Sequence, residues 1–333
     1  MRKVLWLLLI AAALYSGYWF VAATGSERAI AAWLDGREAA GWQAEYEGVE
    51  TGGYPLRFER VIIAPQLADP RTGVAYRAPF VEISSASYAP TALTTTFASE
   101  ATLSTPLQKI EITQDEATAD LFVEADSALT LERAAVTLRD LSLTSSLDWG
   151  LSVADLHGAL VRRADGENLY DINAHFTDLA PSDGLIAALD ADGLLSDRFE
   201  QLEFVARVAF DTPWDITALE HRRPQPTRIE LENLAARWGK LDLQIAGNLD
   251  IDARGVATGR VAVKARNWRE MVEIAVATGA LPADLESLTL RAGQMLAGLK
   301  GNADTIDAEL TLSDGMISLG FIPIGPAPRF IIR

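Results

Sequence analysis

The sequence predicts a mainly β, β-rich α+β protein: a long curved antiparallel sheet with a few covering helices, preceded by one N-terminal transmembrane helix. Three observations carry this. The chain begins with an uncharged apolar run at residues 4–23. Further along, apolar residues recur with period two in segment after segment. Turn signals containing Gly and Asp separate those segments, and only a few windows switch to helical period. Strict alternation gives a strand one apolar and one polar face, the mark of antiparallel sheets covered on one side.

The apolar run sets the expected location. A helix rises about 1.5 Å per residue, so about twenty residues cover the roughly 30 Å hydrocarbon core. Tyr15, Tyr18 and Trp19 gather toward its far end, where aromatic rings favour the membrane–water interface. Arg2 and Lys3 precede the run and Glu27 follows it. By the positive-inside rule the N-terminus stays in the cytoplasm and everything after about residue 24 is exported. A cleaved signal peptide is the alternative, since Val21-Ala22-Ala23 suits a signal peptidase. The run is longer than the ~7–15 apolar residues of such signals, which favours an uncleaved anchor. The expected location is therefore the inner (cytoplasmic) membrane, single-pass, with the C-terminal domain in the periplasm. No cysteine stands near residue 24, which excludes a bacterial lipoprotein.

Residues 26–40 read as a short helix of their own. Ser26 is its cap, Ala29, Ile30, Trp33 and Leu34 form one face, and Gly41 ends it. Alternation then dominates: Leu147, Trp149, Leu151 and Val153; Tyr170, Ile172, Ala174 and Phe176; Leu202, Phe204, Ala206, Val208 and Phe210. Leu241, Leu243 and Ile245 continue it, as do Val261, Val263 and Ala265, and Ile306, Ala308, Leu310 and Leu312. Asp165-Gly166, Ala253-Arg254-Gly255 and Asp314-Gly315 fall between such runs, which predicts a meander of hairpins. Helical spacing returns at 182–195, at 267–278 with Asn267 as cap and Gly279 past the end, and at 283–299. The last two form an expected helical hairpin, 267–299, lying across the sheet. Pro224 and Pro226 disfavour helix and central strand. Three regions follow: an anchor at 1–25, a β-rich half at 26–220, and a second β half at 227–333.

Composition narrows the function. The 333 residues are 49% hydrophobic and 23% charged, enough for a proper core and unlike a disordered chain. There is no cysteine. Disulfides, thiolate metal sites and thiol nucleophiles are thereby excluded. The net charge is −17, and setting Arg2 and Lys3 aside makes the remainder more acidic still. Nucleic acid is not an expected partner, because phosphate binding needs a basic face.

Catalytic signatures do not emerge. His157, His175 and His221 are the only histidines. His157 and His175 can meet across adjacent strands, although two unrelated strand or turn residues is the simpler reading. No HExxH, GxSxG, Walker loop or GxGxxG fingerprint is present. Asp250/Asp252 and Asp304/Asp307 suggest calcium, but the first pair lacks the twelve-residue loop pattern, and turn residues and solvated strand faces explain both better. No cofactor, metal or catalytic residue is expected. Trp33, Trp42, Trp149, Trp214, Trp238 and Trp268 close the ends of an apolar core, or in part line a groove for an acyl chain.

Several segments resemble an uncharacterised bacterial envelope family, seen chiefly in alphaproteobacteria and known as domain-of-unknown-function family 2125. They are the anchor, Gly41-Trp42-Gln43-Ala44, Gly53-Tyr54-Pro55-Leu56-Arg57-Phe58, Ala78-Pro79-Phe80 and Pro213-Trp214-Asp215. Arg223-Pro224-Gln225-Pro226-Thr227, Arg237-Trp238-Gly239, Asn267-Trp268-Arg269-Glu270-Met271 and Gly325-Pro326-Ala327-Pro328 complete the set. The resemblance spans nearly the whole chain and brings no established activity. Two further stretches resemble the repeat of AsmA-like envelope proteins: Gly247-Asn248-Leu249-Asp250-Ile251-Asp252 with Gly255 and Gly259-Arg260-Val261, and Asp314-Gly315-Met316-Ile317-Ser318-Leu319-Gly320. That resemblance implies an anchored periplasmic sheet whose apolar groove carries phospholipid. The expectation is a non-enzymatic protein of the inner membrane that binds phospholipid or another acyl-chain ligand, or assists envelope assembly with envelope proteins as partners. Leu202, Phe204, Leu241, Leu243, Val261 and Val263 are the expected groove. The alternative is a protein-interaction scaffold whose groove is filled by its own helices.

Overall fold

In the computed structural model, which describes residues 2–166, 168–190, 193–220, 222–279, 281–299, 303–320 and 322–332, the apolar run and the segment behind it form one helix, α1 (Arg2–Ala39). Two helices with Ser26 capping the second were expected. Nothing at Thr24-Gly25-Ser26 forces a break, since a lone interior Gly costs only about 1 kcal/mol. Tertiary packing outweighs that cost. Trp19, Ala23 and Leu34 are buried along one stripe of the helix. The Ser26 hydroxyl donates to the Ala23 carbonyl at 2.8 Å and accepts from Arg60 Nε at 2.7 Å. The helix is long and apolar enough to span a membrane once.

The chain divides into two compact units. The first contains residues up to Phe122 together with Leu138–Leu147. Behind α1 it holds β1 (Gln43–Glu45), β2 (Gly48–Gly52), β3 (Arg57–Ile63), β4 (Gln66–Asp69), β5 (Val74–Arg77), β6 (Phe80–Ala86), β7 (Ala89–Phe97), β8 (Glu100–Ser104), β9 (Lys109–Thr113), β10 (Glu116–Val123) and the later part of β11 (Leu131–Ser145). These pair antiparallel in two series, β2–β3–β6–β7–β10 and β1–β4–β5–β8–β9–β11.

The second unit is residues Val123–Thr137 with Asp148–Arg333. Its elements are β12 (Gly150–Arg162), β13 (Leu169–Thr177), β14 (Ala180–Pro181), α2 (Asp183–Leu189), β15 (Phe199–Phe210), α3 (Ile216–Glu220), β16 (Pro226–Trp238), β17 (Leu241–Ile251), β18 (Ala257–Arg266), α4 (Trp268–Ala277), α5 (Glu286–Leu299), β19 (Thr305–Ser313), β20 (Met316–Leu319) and β21 (Ile322–Pro326). β14 pairs with β12. The other strands, from β12 through β13 and β15 to β21, each pair antiparallel with the next. This is the meander that the turn signals predict. Asp314 and Gly315 both have positive φ, 52° and 75°, as a two-residue type I′ turn requires.

Four local expectations are corrected. The helix expected at 182–195 is α2 alone: Ser182 caps it, and the Asp190 carboxylate then accepts from the Leu194 and Leu195 amides at 2.7 and 3.0 Å. Residues 191 and 192 lie outside the described residues. Asn267 does not cap α4 through its side chain. It sits in the left-handed region, and Nδ2 donates to the Lys240 carbonyl at 2.6 Å. Leu147 and Trp149 precede β12 instead of belonging to it, because Asp148 at φ 61° turns the chain there. The Pro224 region does not divide the units. β15 and β16 pair along their length on either side of it, and Pro224 is fully buried. The Gln225 side chain clasps residue 332, with Nε2 donating to the Ile332 carbonyl at 2.8 Å and Oε1 accepting from its amide at 3.0 Å. His221, expected in this stretch, lies outside the described residues.

The β17–β18 turn has a carboxylate at its centre. Asp252 accepts from the Val256 and Arg254 amides at 2.9 and 2.8 Å, and those hydrogen bonds hold its carboxyl below the usual range. A carboxyl depressed in the folded state stabilises it above the unfolded pKa, and this contribution is lost as pH falls through the folded value. Asp252→Ala is therefore expected to lower the denaturant midpoint at neutral pH. The gap to wild type should shrink below about pH 4; a gap that persists unchanged in acid would contradict it.

Candidate functional site

Residues directly opposite across an antiparallel ladder lie on the same face of a sheet. Three rows therefore define one face of the second unit. Leu202, Ala236, Leu243, Ala265 and Ile306 are partners across β15 to β19. Phe204, Leu234, Ile245, Val263 and Ala308 form the next row. Ala206, Leu231, Gly247, Val261 and Leu310 form the third. Every member is apolar. Leu231 and Leu234 are three residues apart and would face opposite ways in a regular strand. A register shift between them, relative to β17, returns both to this face.

All six residues expected to form a groove are on this face. Leu202, Phe204, Leu243, Val261 and Val263 are half-buried there, and Leu241, two residues before Leu243, is buried. The face is covered at its two ends by different elements. At one end α4 and α5 lie over Leu243, Ala265, Ile306 and Leu310. At the other, Ala327 and Phe330 pack on the cluster of Leu249, Ile251, Ala257 and Leu312. Ile332 joins the cluster around Tyr170, Val208 and Phe210. Between these covers the middle positions Ile245, Gly247 and Val263 are only half-buried.

Beneath α4 and α5 the face opens into a cavity of about 690 Å³, within the usual range for small-molecule sites. Trp268, Met271 and Val272 line it from α4, and Leu288, Thr289 and Leu296 from α5. Of the six expected residues, Leu243 is the one that lines it. The polar groups here are already engaged: Thr289 Oγ1 donates to the Leu285 carbonyl at 2.9 Å, and Trp268 Nε1 donates to the Ala303 carbonyl at 3.0 Å. The lining thus offers dispersion and exclusion of water, and among the described residues no acid or base. The two helices are the cover that the sequence predicts. The hollow beneath them was signalled by Trp268 and by Gly293, whose lack of a side chain lets α5 sit against the Trp268 ring.

The opposite face is polar. Arg207 on β15 contacts Asp171 on β13 at 3.0 Å and Glu230 and Glu232 on β16 at 3.1 and 3.5 Å. Hydrogen bonding to Asp171 raises the Arg207 pKa above its usual value. Exposed pairs of this kind add little stability each, about 0–1 kcal/mol, and their effect is to keep that face in water. His157 and His175 are direct register partners on it, both exposed. The two residues are thus neighbours across the ladder, but among the described residues no group of three His, Cys, Asp or Glu is disposed to hold a metal ion. Asp250 pairs with Arg228 at 2.9 Å, Asp252 with Arg254 at 3.0 Å, and Asp304 with Arg269 at 3.2 Å.

Residues 19–328 match the model of an uncharacterized protein family conserved in bacteria, DUF2125, and the chain belongs to that family. No curated protein and no solved structure matches it.

The cavity wall depends on one close approach. A Cβ at Gly293 would stand 2.2 Å from Trp268 Cζ3, whereas one at Gly298 on the same helix meets nothing within 4 Å. Gly293→Ala is expected to destabilise by about 1–3 kcal/mol through overpacking and to shift tryptophan emission. Gly298→Ala is expected to be neutral or to stabilise by up to about 1 kcal/mol. Denaturant unfolding of both variants checks this, and equal behaviour would contradict the packing.

Proposed function

We propose that this family member is a single-pass protein of the inner membrane that binds lipid acyl chains in the periplasm and acts without catalysis, in lipid handling or envelope assembly. The observation that carries the proposal is the continuity of one apolar surface. A half-buried trough along β15–β19 runs into an apolar cavity whose polar atoms are satisfied internally. An acyl chain placed there gains about 0.8 kcal/mol for each buried CH₂. The periplasmic orientation rests on Arg2 and Lys3 ahead of the apolar run. The AsmA-like stretches at 247–261 and 314–320 fall in the β17–β18 and β19–β20 hairpins, the former bordering the trough.

Native mass spectrometry of the full chain, released from phospholipid nanodiscs, tests the reading. Phospholipid is expected to remain bound. Leu310→Asp, which puts a charge where the trough meets the cavity, is expected to weaken lipid retention at least tenfold, about 1.4 kcal/mol. Met271→Trp, which fills the cavity, is expected to act in the same direction. Circular dichroism should be native for both variants. Wild-type protein consistently free of lipid would overturn the proposal.

A second reading, an interaction scaffold, draws on the covers already seated at both ends of the face. It predicts protein partners in cross-linking and no lipid in the same spectra.

A further inference from the structure

Two hairpin tips of the first unit lie beside α1 at the level of its apolar run. The β2–β3 tip carries Gly53-Tyr54-Pro55-Leu56, and the β6–β7 tip carries Ser87-Tyr88. Neither has a charged side chain. Tyr54 stacks on Phe20 at 5.6 Å and meets Trp19 edge-on at 5.3 Å. Its hydroxyl is 2.8 Å from Ser16 Oγ. Tyr15 and Tyr18 donate to the Pro55 and Ser87 carbonyls at 3.1 and 2.9 Å. The tips are therefore fixed against the segment 15–20, inside the run that the membrane reading places in the bilayer.

The geometry then sets a depth. Residues 4–14 are exposed all round and at 1.5 Å per residue span about 16 Å, roughly half of a ~30 Å hydrocarbon core. The remainder of the apolar run is the part with the tips alongside. Those tips turn large apolar groups outward: Tyr54 is 52%, Leu56 62% and Tyr88 79% exposed. Phe20 on the helix, stacked on Tyr54, is exposed next to them. Irregular backbone tolerates lipid only when its polar groups are satisfied within the protein. Here they are. The Gly53 and Leu56 carbonyls accept from the Arg57 and Ser87 amides, both at 2.9 Å, and the Arg57 carbonyl accepts from Trp19 Nε1 at 2.8 Å. The Pro55 and Ser87 carbonyls accept from the two tyrosines.

We infer that these tips form a collar immersed in the outer interface of the phospholipid bilayer that α1 crosses, with Tyr54, Leu56 and Tyr88 as its lipid-facing residues. The collar rests on the membrane-anchor reading and is independent of lipid binding in the trough. It makes the membrane contact of the first unit a surface of helix plus two loops, with aromatic rings at the depth they favour.

The absence of cysteine makes the test direct. Single cysteines replace Leu8, Leu56, Tyr88 and Leu107 in the full chain, the last at an 83% exposed loop tip remote in sequence from both tips of the collar. Each is spin-labelled and reconstituted in phosphatidylglycerol–phosphatidylethanolamine nanodiscs, and collisions with oxygen and a water-soluble nickel chelate are compared. Labels at 8, 56 and 88 are expected to favour oxygen, with chelate collisions several-fold fewer than at 107. Labels at 56 and 88 as water-accessible as 107, with 8 still protected, would overturn the collar alone. A water-accessible label at 8 would overturn the anchor and the collar together.

Discussion

A sheet that is apolar over the whole of one face and charged over the other must cover the first and wet the second. In the second unit the rows across β15–β19 are apolar without exception. The helices between β18 and β19 and the segment after β21 are where that requirement is met. Both are insertions or extensions to a plain meander, and both fold back on the same side. Neither reaches the centre, so the middle of the face is left half-buried. The trough is therefore the remainder of an incomplete covering, and the charged face, with Arg207 bridging three strands, keeps the sheet from burying itself the other way.

The chemistry follows from the same constraint. Polar side chains near the apolar face are few. The buried Trp214 Nε1 has no partner among the described residues, whereas Thr289 and Trp268 satisfy their hydrogen bonds locally, as burial demands. Tyr170 is an example. Fully buried, it has its hydroxyl between the Leu131 carbonyl at 3.3 Å and the Trp214 amide at 3.4 Å, and burial pushes its phenol above the usual value. Such a group ties loops to the sheet. It does not present a free proton to a ligand.

Much of this was legible in the sequence, and the parts that were not share a cause. β15, β17, β18 and β19 alternate cleanly, so the six groove residues and their common face were readable. β16 was not read as a strand. Its extra residue near Glu232 and Asn233 puts Leu231 and Leu234 out of phase, so a period-two reading sees two fragments. β11 breaks in the same way at Asp140, whose φ is 48°, and its apolar residues move from even positions to odd. The strands of the first unit are short, and many are half-buried on both faces, which erases alternation altogether. In α1 the sequence places Tyr15, Tyr18 and Trp19 at the membrane–water interface and shows no protein partner for them. Trp19 instead stacks on Phe58 at 5.6 Å, a long-range contact that no local pattern encodes.

The Gln225 clasp on residue 332 carries an implication for the chain as it is made. Residues 327–332, which close one end of the apolar face, are synthesised after every strand they cover. Until they arrive, β15 to β18 can pair but their inner surface stays bare. An unfinished sheet of that kind is prone to aggregate. A ribosome making this chain therefore holds, while residues 267–332 are being added, an intermediate that needs shielding from outside, and Gln225 waits more than a hundred positions upstream as the mark to which residue 332 returns.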